Sequence, residues 1–161
     1  MTEHVFRQTY TEFRDPLYRF AYRLTSSQPV AEDLVHDCFL GLFRGGFDPA
    51  RGGIRTYLYA AIRNLARKHY RDSGREFENS EPIAESALET MLNRETADAV
   101  RLAVESLPPL QREVLVLFEY EELPLAEISV IVDADLAAVK SRIFRARERL
   151  RKVLAPLREV A

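Results

Sequence analysis

The spacing of apolar residues near the carboxy-terminal end restricts the fold most. Leu136, Val139, Ile143, Ala146, Leu150 and Val153 recur every three or four positions, the period of one helix face. Pro124 opens a shorter apolar stretch, Leu125 to Val132, and Asp133-Ala134-Asp135 separates the two. A short helix, a three-residue turn and a long helix from Leu136 towards Leu157 are predicted, which is a helix-turn-helix.

The same period runs upstream. Asp15-Pro16 reads as an N-cap with proline at the first helical position, followed by Leu17, Phe20, Ala21 and Leu24. Pro29 starts a second helix, with Val30, Leu34, Val35, Cys38, Phe39, Leu42 and Phe43 as its stripe. Gly45 to Gly53 is a loop by composition. A third helix, Ile54 to Arg71, turns Ile54, Leu58, Ile62 and Leu65 inward and Arg63, Asn64, Arg67, Lys68 and Arg71 outward. Helical pattern returns near Glu95, and Pro108-Pro109 opens a helix to about Tyr120. With only 6 Gly and 8 Pro in 161 residues and no Trp, helices are favoured over a turn-rich β fold. The predicted class is all-α, with two small helical domains, 1–72 and 95–161, joined by a linker, 73–94.

A net charge of −2 argues against a nucleic-acid protein until its distribution is seen. Between Lys140 and Lys152 stand Lys140, Arg142, Arg145, Arg147, Arg149, Arg151 and Lys152, against Glu148 alone. Between Glu76 and Glu95 the acids Glu76, Glu78, Glu81, Glu85, Glu89 and Glu95 face Arg94 alone. The charge is sorted along the chain.

Projected at about 100° per residue, the last helix carries Ala137, Ser141, Phe144, Arg145 and Glu148 opposite its apolar stripe. Lys140, Arg142, Arg149 and Lys152 lie on the shoulders. An aromatic on that side of a basic helix suits a thymine methyl, and Arg145 suits guanine acceptors. The competing reading is a solvated charged helix with Phe144 packed on a neighbour. On the third helix the outward cations and Asn64 lie beside Tyr57, Tyr59 and Tyr70, a combination suited to phosphates and unstacked bases. A basic helix face is also often merely solvated. The second helix turns Glu32, Asp33, His36 and Asp37 outward, an acidic patch suited to a basic protein partner.

Other classes are disfavoured. One cysteine, Cys38, allows no internal disulfide, and His4, His36 and His69 lie far apart, so neither a metal nor a cofactor is expected. Cys38 falls within an apolar stripe and reads as a core residue. No apolar run approaches the roughly 18–20 residues of a membrane span, and Met1 to Tyr10 lacks the apolar block of a secretory signal. A cytoplasmic protein without membrane insertion is expected. No nucleophile–base pair or glycine-rich phosphate loop suggests an enzyme.

Two segments resemble the extracytoplasmic-function group of the sigma-70 family of RNA polymerase sigma factors. The first runs from Leu17-Tyr18-Arg19-Phe20-Ala21 through Ala31-Glu32-Asp33-Leu34-Val35-His36-Asp37-Cys38-Phe39 to Thr56-Tyr57-Leu58-Tyr59 and Arg63-Asn64-Leu65-Ala66. The second runs from Leu107-Pro108 through Glu127-Ile128 to Val139-Lys140-Ser141-Arg142-Ile143-Phe144-Arg145-Ala146-Arg147. The resemblance implies an alternative sigma factor that binds core RNA polymerase and recognises −35 and −10 promoter elements. Its first domain would open and read the −10 element through Tyr57, Arg63, Asn64, Arg67, Lys68 and Arg71. That domain would also dock on the β′ clamp helices through Glu32, Asp33, His36 and Asp37. Its second would touch the β-flap and read the −35 element through Arg112, Lys140, Ser141, Arg142, Phe144, Arg145, Arg149 and Lys152. The loop Gly46 to Gly53 matches one that holds a flipped −10 base, and the acidic linker matches one threaded through the RNA exit channel. An anti-sigma factor is an expected partner. Tyr57 stands where the family usually carries Trp. The rival readings are a sigma-like mimic that only binds an anti-sigma factor, and a helix-turn-helix regulator acting without polymerase.

Overall fold

The computed structural model describes residues 1–74 and 96–160, with side chains described for 1–74 and 97–155. Described residues form helices and turns without strands. Most of the predicted linker lies outside them.

Helix α1, Glu3–Thr25, begins well before the predicted start. Thr2 caps it, its hydroxyl accepting from the Val5 N–H at 3.2 Å, and Pro16 lies in the helix interior. An internal proline removes a backbone hydrogen bond and costs about 3 kcal/mol. The early turns offset this with aromatic packing: Phe6 meets Phe39 and Phe43, and Tyr10 meets Phe39, at ring separations of 6.3, 5.7 and 4.9 Å. Ser26, in the left-handed region at φ 56°, ends α1. Ser27 caps α2, Gln28–Phe43, through the Val30 N–H. The start of α1 meets the end of α2, so the two run antiparallel. Phe43, expected in the buried stripe, is 73% exposed. It is the last residue of α2, where its ring meets Phe6 of α1 and is otherwise open to solvent.

The loop after α2 contains a short 3₁₀ turn, Pro49–Arg51, capped by Asp48. Gly46 is required by close approach: a Cβ there would collide with the Tyr57 hydroxyl and the Gly41 carbonyl. Helix α3, Ile54–Asp72, closes the first unit by packing Leu58, Ile62 and Ala66 with Leu17, Phe20 and Leu24. The Tyr59 ring lies 5.3 Å from Phe20.

The second unit comprises α4, Thr96–Glu105, α5, Pro109–Leu115, α6, Leu125–Ile131, and α7, Leu136–Val160. One π-helical turn, Val116–Tyr120, extends α5. Val114, Leu117, Ile128, Ile131, Val139, Ile143 and Ala146 form its core, and Ala99 and Ala103 of α4 pack on Val153. Between α6 and α7, Asp133 adopts φ 50°, a conformation that aspartate tolerates better than most residues. Asp135 accepts from the Ala138 N–H at 2.7 Å and so caps the start of α7. Leu136, assigned to the inward stripe, is exposed; it is the first residue of α7, where the buried stripe has not yet begun. The buried residues of the two units join into one continuous cluster.

Phe20 is fully buried at the centre of the first unit. Phe20→Ala is expected to destabilise the fold by about 3–5 kcal/mol, read as a lowered urea midpoint. A change below 1 kcal/mol would contradict the packing described.

Candidate nucleic-acid interface

Helix α7 carries the most exposed candidate surface. Capping by Asp135 fixes where the helix starts, and burial of Val139, Ile143 and Ala146 fixes its rotation. Lys140, Ser141, Phe144 and Arg145 are therefore exposed together. Phe144 is 64% exposed, more open than the competing reading, with the ring packed on a neighbour, expects. Arg142 and Arg149 are half-buried on the shoulders and Lys152 is exposed. A short helix, a turn and a helix presenting serine, an aromatic and arginine can enter a major groove.

On α3 the outward face divides. Asn64, Arg67, Lys68 and Arg71 are exposed and Tyr57 is half-buried, its ring 5.4 Å from Phe47 of the preceding loop. Arg63 departs from the expected exposure, at 3%. Its Nε donates to Glu113 at 2.9 Å and its Nη2 to the other carboxylate oxygen at 3.1 Å. Glu113 is wholly buried. Burial pushes its carboxyl up to about 7, against the opposing pull of Arg63, then of Arg142 and Arg67. Tyr59 and Tyr70, read as flanking the basic face, are buried instead. The Tyr59 hydroxyl donates to Glu121 at 2.9 Å, and that of Tyr70 to the Leu24 carbonyl at 3.2 Å.

Arg112, expected to reach DNA, is also buried, at 8%. It donates through Nε and Nη2 to the Leu107 carbonyl, and through Nη1 to the Leu24 carbonyl at 3.0 Å. Leu24 ends the core stripe of α1, so Arg112 ties the start of α5 to the first unit. Farther out, Arg55 binds Glu127 bidentately at 2.8 and 2.6 Å, and Thr56 donates to the same carboxylate. These bonds hold the Glu127 carboxyl below its ordinary value, the Arg55 bond contributing most. Arg23 lies over the Tyr120 ring at 4.2 Å.

The acidic face expected on α2 is present. Glu32, Asp33, His36 and Asp37 are all exposed. Glu32, Asp33 and His36 border a groove between α1 and α2, whose apolar side is lined by Tyr10, Tyr18 and Phe39.

Sequence reasoning missed Glu113, Glu121, Glu127 and Arg55. The available signal was Glu113 itself, a carboxylate opening the apolar run Val114-Leu115-Val116-Leu117. No group of acids, histidines and cysteine suited to a metal occurs among the described residues, nor does any described helix have the length and apolarity to cross a membrane.

A first three-helix unit with an exposed amide-and-cation face is followed by a helix-turn-helix unit with an exposed row on its long helix. The family model for Sigma-70 region 2 matches residues 9–76, and that for Sigma-70, region 4 matches 97–150. The ECF RNA polymerase sigma factor SigE of Mycolicibacterium smegmatis is 33% identical over 88% of this chain, which spans 58% of that protein. The RNA polymerase sigma-H factor of Pseudomonas aeruginosa is 31% identical over 88% of this chain and 79% of its own length. The fold is shared with the sigma factor RpoE of Bartonella quintana, solved with the anti-sigma factor NepR. It aligns with a TM-score of 0.74 at 24% identity, over 93% of this chain and 96% of that one. CnrH, solved with the cytosolic domain of CnrY, aligns at 0.71 and 24% identity, over 96% and 90%. The chain belongs to the extracytoplasmic-function group of the sigma-70 family and acts as an alternative sigma factor, a DNA-binding factor for transcription initiation.

Cys38 is buried in this scaffold, its thiol donating weakly to the Leu58 carbonyl at 3.7 Å, and burial pushes its pKa up to about 12. Because the thiolate is the reactive form, iodoacetamide at mildly alkaline pH is expected to leave the native chain unmodified. Full alkylation should follow in concentrated urea. Rapid modification of the native chain would contradict this placement.

Proposed function

We propose that this sigma factor reads a −35 element with α7 and a −10 element with α3, and docks on the β′ clamp helices of core polymerase through α2. Residues 1–72 form the −10 and polymerase-binding domain, 73–94 the linker, and 95–161 the −35 domain, which also touches the β-flap. The observation that carries this reading is the joint exposure of Lys140, Ser141, Phe144 and Arg145 on a helix whose start and rotation are both fixed. Asn64 supplies an amide between exposed cations, suited to an extruded base rather than a phosphate. The chain itself performs no catalysis, needs no cofactor, and works in the cytoplasm. An anti-sigma factor regulates it, as in the solved relatives' complexes with NepR and CnrY. Run-off transcription with core polymerase across a genomic promoter pool tests the whole reading; absence of promoter-specific transcripts overturns it.

Replacing a base-contacting arginine costs about 1–3 kcal/mol at one base position, whereas losing a phosphate contact weakens all sequences alike. Arg145→Ala is therefore expected to relax preference at one −35 position in a randomised library, and Phe144→Ala to relax it at a thymine. Lys152→Ala should weaken all sequences and make the salt dependence shallower. Uniform weakening by Arg145→Ala would refute base reading by this side chain.

The exposed acids of α2 give a separate expectation. Asp33→Lys with Asp37→Lys reverses the patch charge without touching the apolar stripe. Affinity for core polymerase should fall at least tenfold while helix content by circular dichroism stays constant. Unchanged affinity of the folded double variant would remove α2 as the docking face.

A further inference from the structure

A cleft of about 310 Å³ lies between α1 and α4. None of its lining residues comes from α2, α3 or α7, so it is separate from the faces assigned above to polymerase and to DNA. Tyr18 and Tyr22, one turn apart on α1, form one wall, their rings stacked at 6.4 Å with an interplanar angle of 23°. Their hydroxyls make no hydrogen bond among the described residues. Ala97, Val100 and Val104 recur along the facing side of α4. Tyr120, the last residue of the π-helical turn, closes one end, with Arg23 over its ring at 4.2 Å. Such turns occur often at functional sites. Val100 and Tyr120 both remain exposed, so this apolar lining is open to an incoming molecule.

The charged groups at the cleft are unevenly satisfied. Arg101 is held by Glu105 at 3.2 Å and by Asp98 at 3.7 Å, which neutralises the one carboxylate of the lining. Arg23 reaches Glu121 only at 4.0 Å, and that carboxylate already accepts from the Tyr59 hydroxyl at 2.9 Å. Arg19 is exposed and makes no hydrogen bond or ion pair among the described residues. Aromatic and aliphatic walls thus meet two arginines, one free and one weakly engaged. A concave, mostly apolar lining with a few convergent polar groups is the usual composition of a small-molecule site, and its volume falls at the lower end of the range of about 300–1,000 Å³. Two arginines at one end match a single carboxylate in charge and in hydrogen-bond donors.

We propose that the cleft between α1 and α4 binds a small planar aromatic carboxylate. The ring lies between the Tyr18–Tyr22 wall and Val100, and the carboxylate meets Arg19 and Arg23. The inference is independent of the assignments of α3 and α7 to DNA and of α2 to polymerase. A molecule held there touches both units and gives the sigma factor a chemical input of its own.

The full chain tests this with 2-naphthoate as the probe and 2-naphthamide as its neutral counterpart, followed by ligand-observed NMR and by thermal unfolding. Saturable binding of 2-naphthoate is expected, with a rise in melting temperature as the ligand concentration increases. The amide should bind roughly tenfold more weakly, and Arg19→Ala should weaken the carboxylate by a similar factor while leaving the amide unchanged. Val100→Trp fills the apolar side and should abolish binding of both probes. If it fails to fold, Ala97→Trp, on the exposed first turn of α4, serves in its place. Absence of saturable binding at millimolar 2-naphthoate overturns the proposal. Equal affinity for the two probes removes the carboxylate's part in it, and binding that survives a folded tryptophan variant puts the ligand elsewhere; either result overturns it. Sedimentation velocity covers the other occupant: if the wild type self-associates, Val100→Trp prevents this, and 2-naphthoate does not bind, the cleft serves a second copy of the chain and the proposal falls.

Discussion

Arg63 and Glu113 form the interaction on which the relation of the two units depends. Both side chains are removed from water, and removing two charges from water is expensive unless geometry and hydrogen bonding are nearly complete. The pair meets that condition through two parallel bonds at 2.9 and 3.1 Å. A bidentate arginine–carboxylate contact is directional, so α3 can meet α5 in only one register. The bonds from Arg112 to Leu24 and from Arg55 to Glu127 follow from that register. Around these bonds the apolar residues of the two units form one continuous buried cluster, so apolar burial supplies the area and the charged pair supplies the direction.

The exposed row of α7 depends on a different and more local device. Asp133 turns the chain at φ 50°, and Asp135 caps the next helix. Together these set the first residue of α7, and the 3.6-residue period does the rest. A shift of one residue at the turn would rotate Phe144 and Arg145 by about 100°, burying one and displacing the other. Two aspartates thus carry the positional information for a surface that contains neither.

Much of the fold was legible because helix periodicity is a local property. The stripes of α2, α3 and α7 were readable from apolar spacing, and the start of α6 after Pro124 agrees with the sequence to within a residue. The errors fall where an element ends or where a neighbour is absent. Phe43 and Leu136 keep the correct spacing but stand at the last residue of α2 and the first of α7, and both are exposed. Pro16 has the chemistry of a helix start, and aromatic contacts between α1 and α2 carry the helix through it.

The sequence by itself determined the helices, the turn chemistry and the exposed row of α7, since each arises from residues within a few positions of one another. It also determined the acidic face of α2, because the opposite face is continuously apolar. Only the tertiary structure decided which cations are buried. Arg63 and Arg67 are one helical turn apart with the same chemistry, yet Arg63 is buried and Arg67 exposed. What separates them is a carboxylate 50 residues away, in a different unit, and charge pairing at that distance leaves no periodic mark on the sequence.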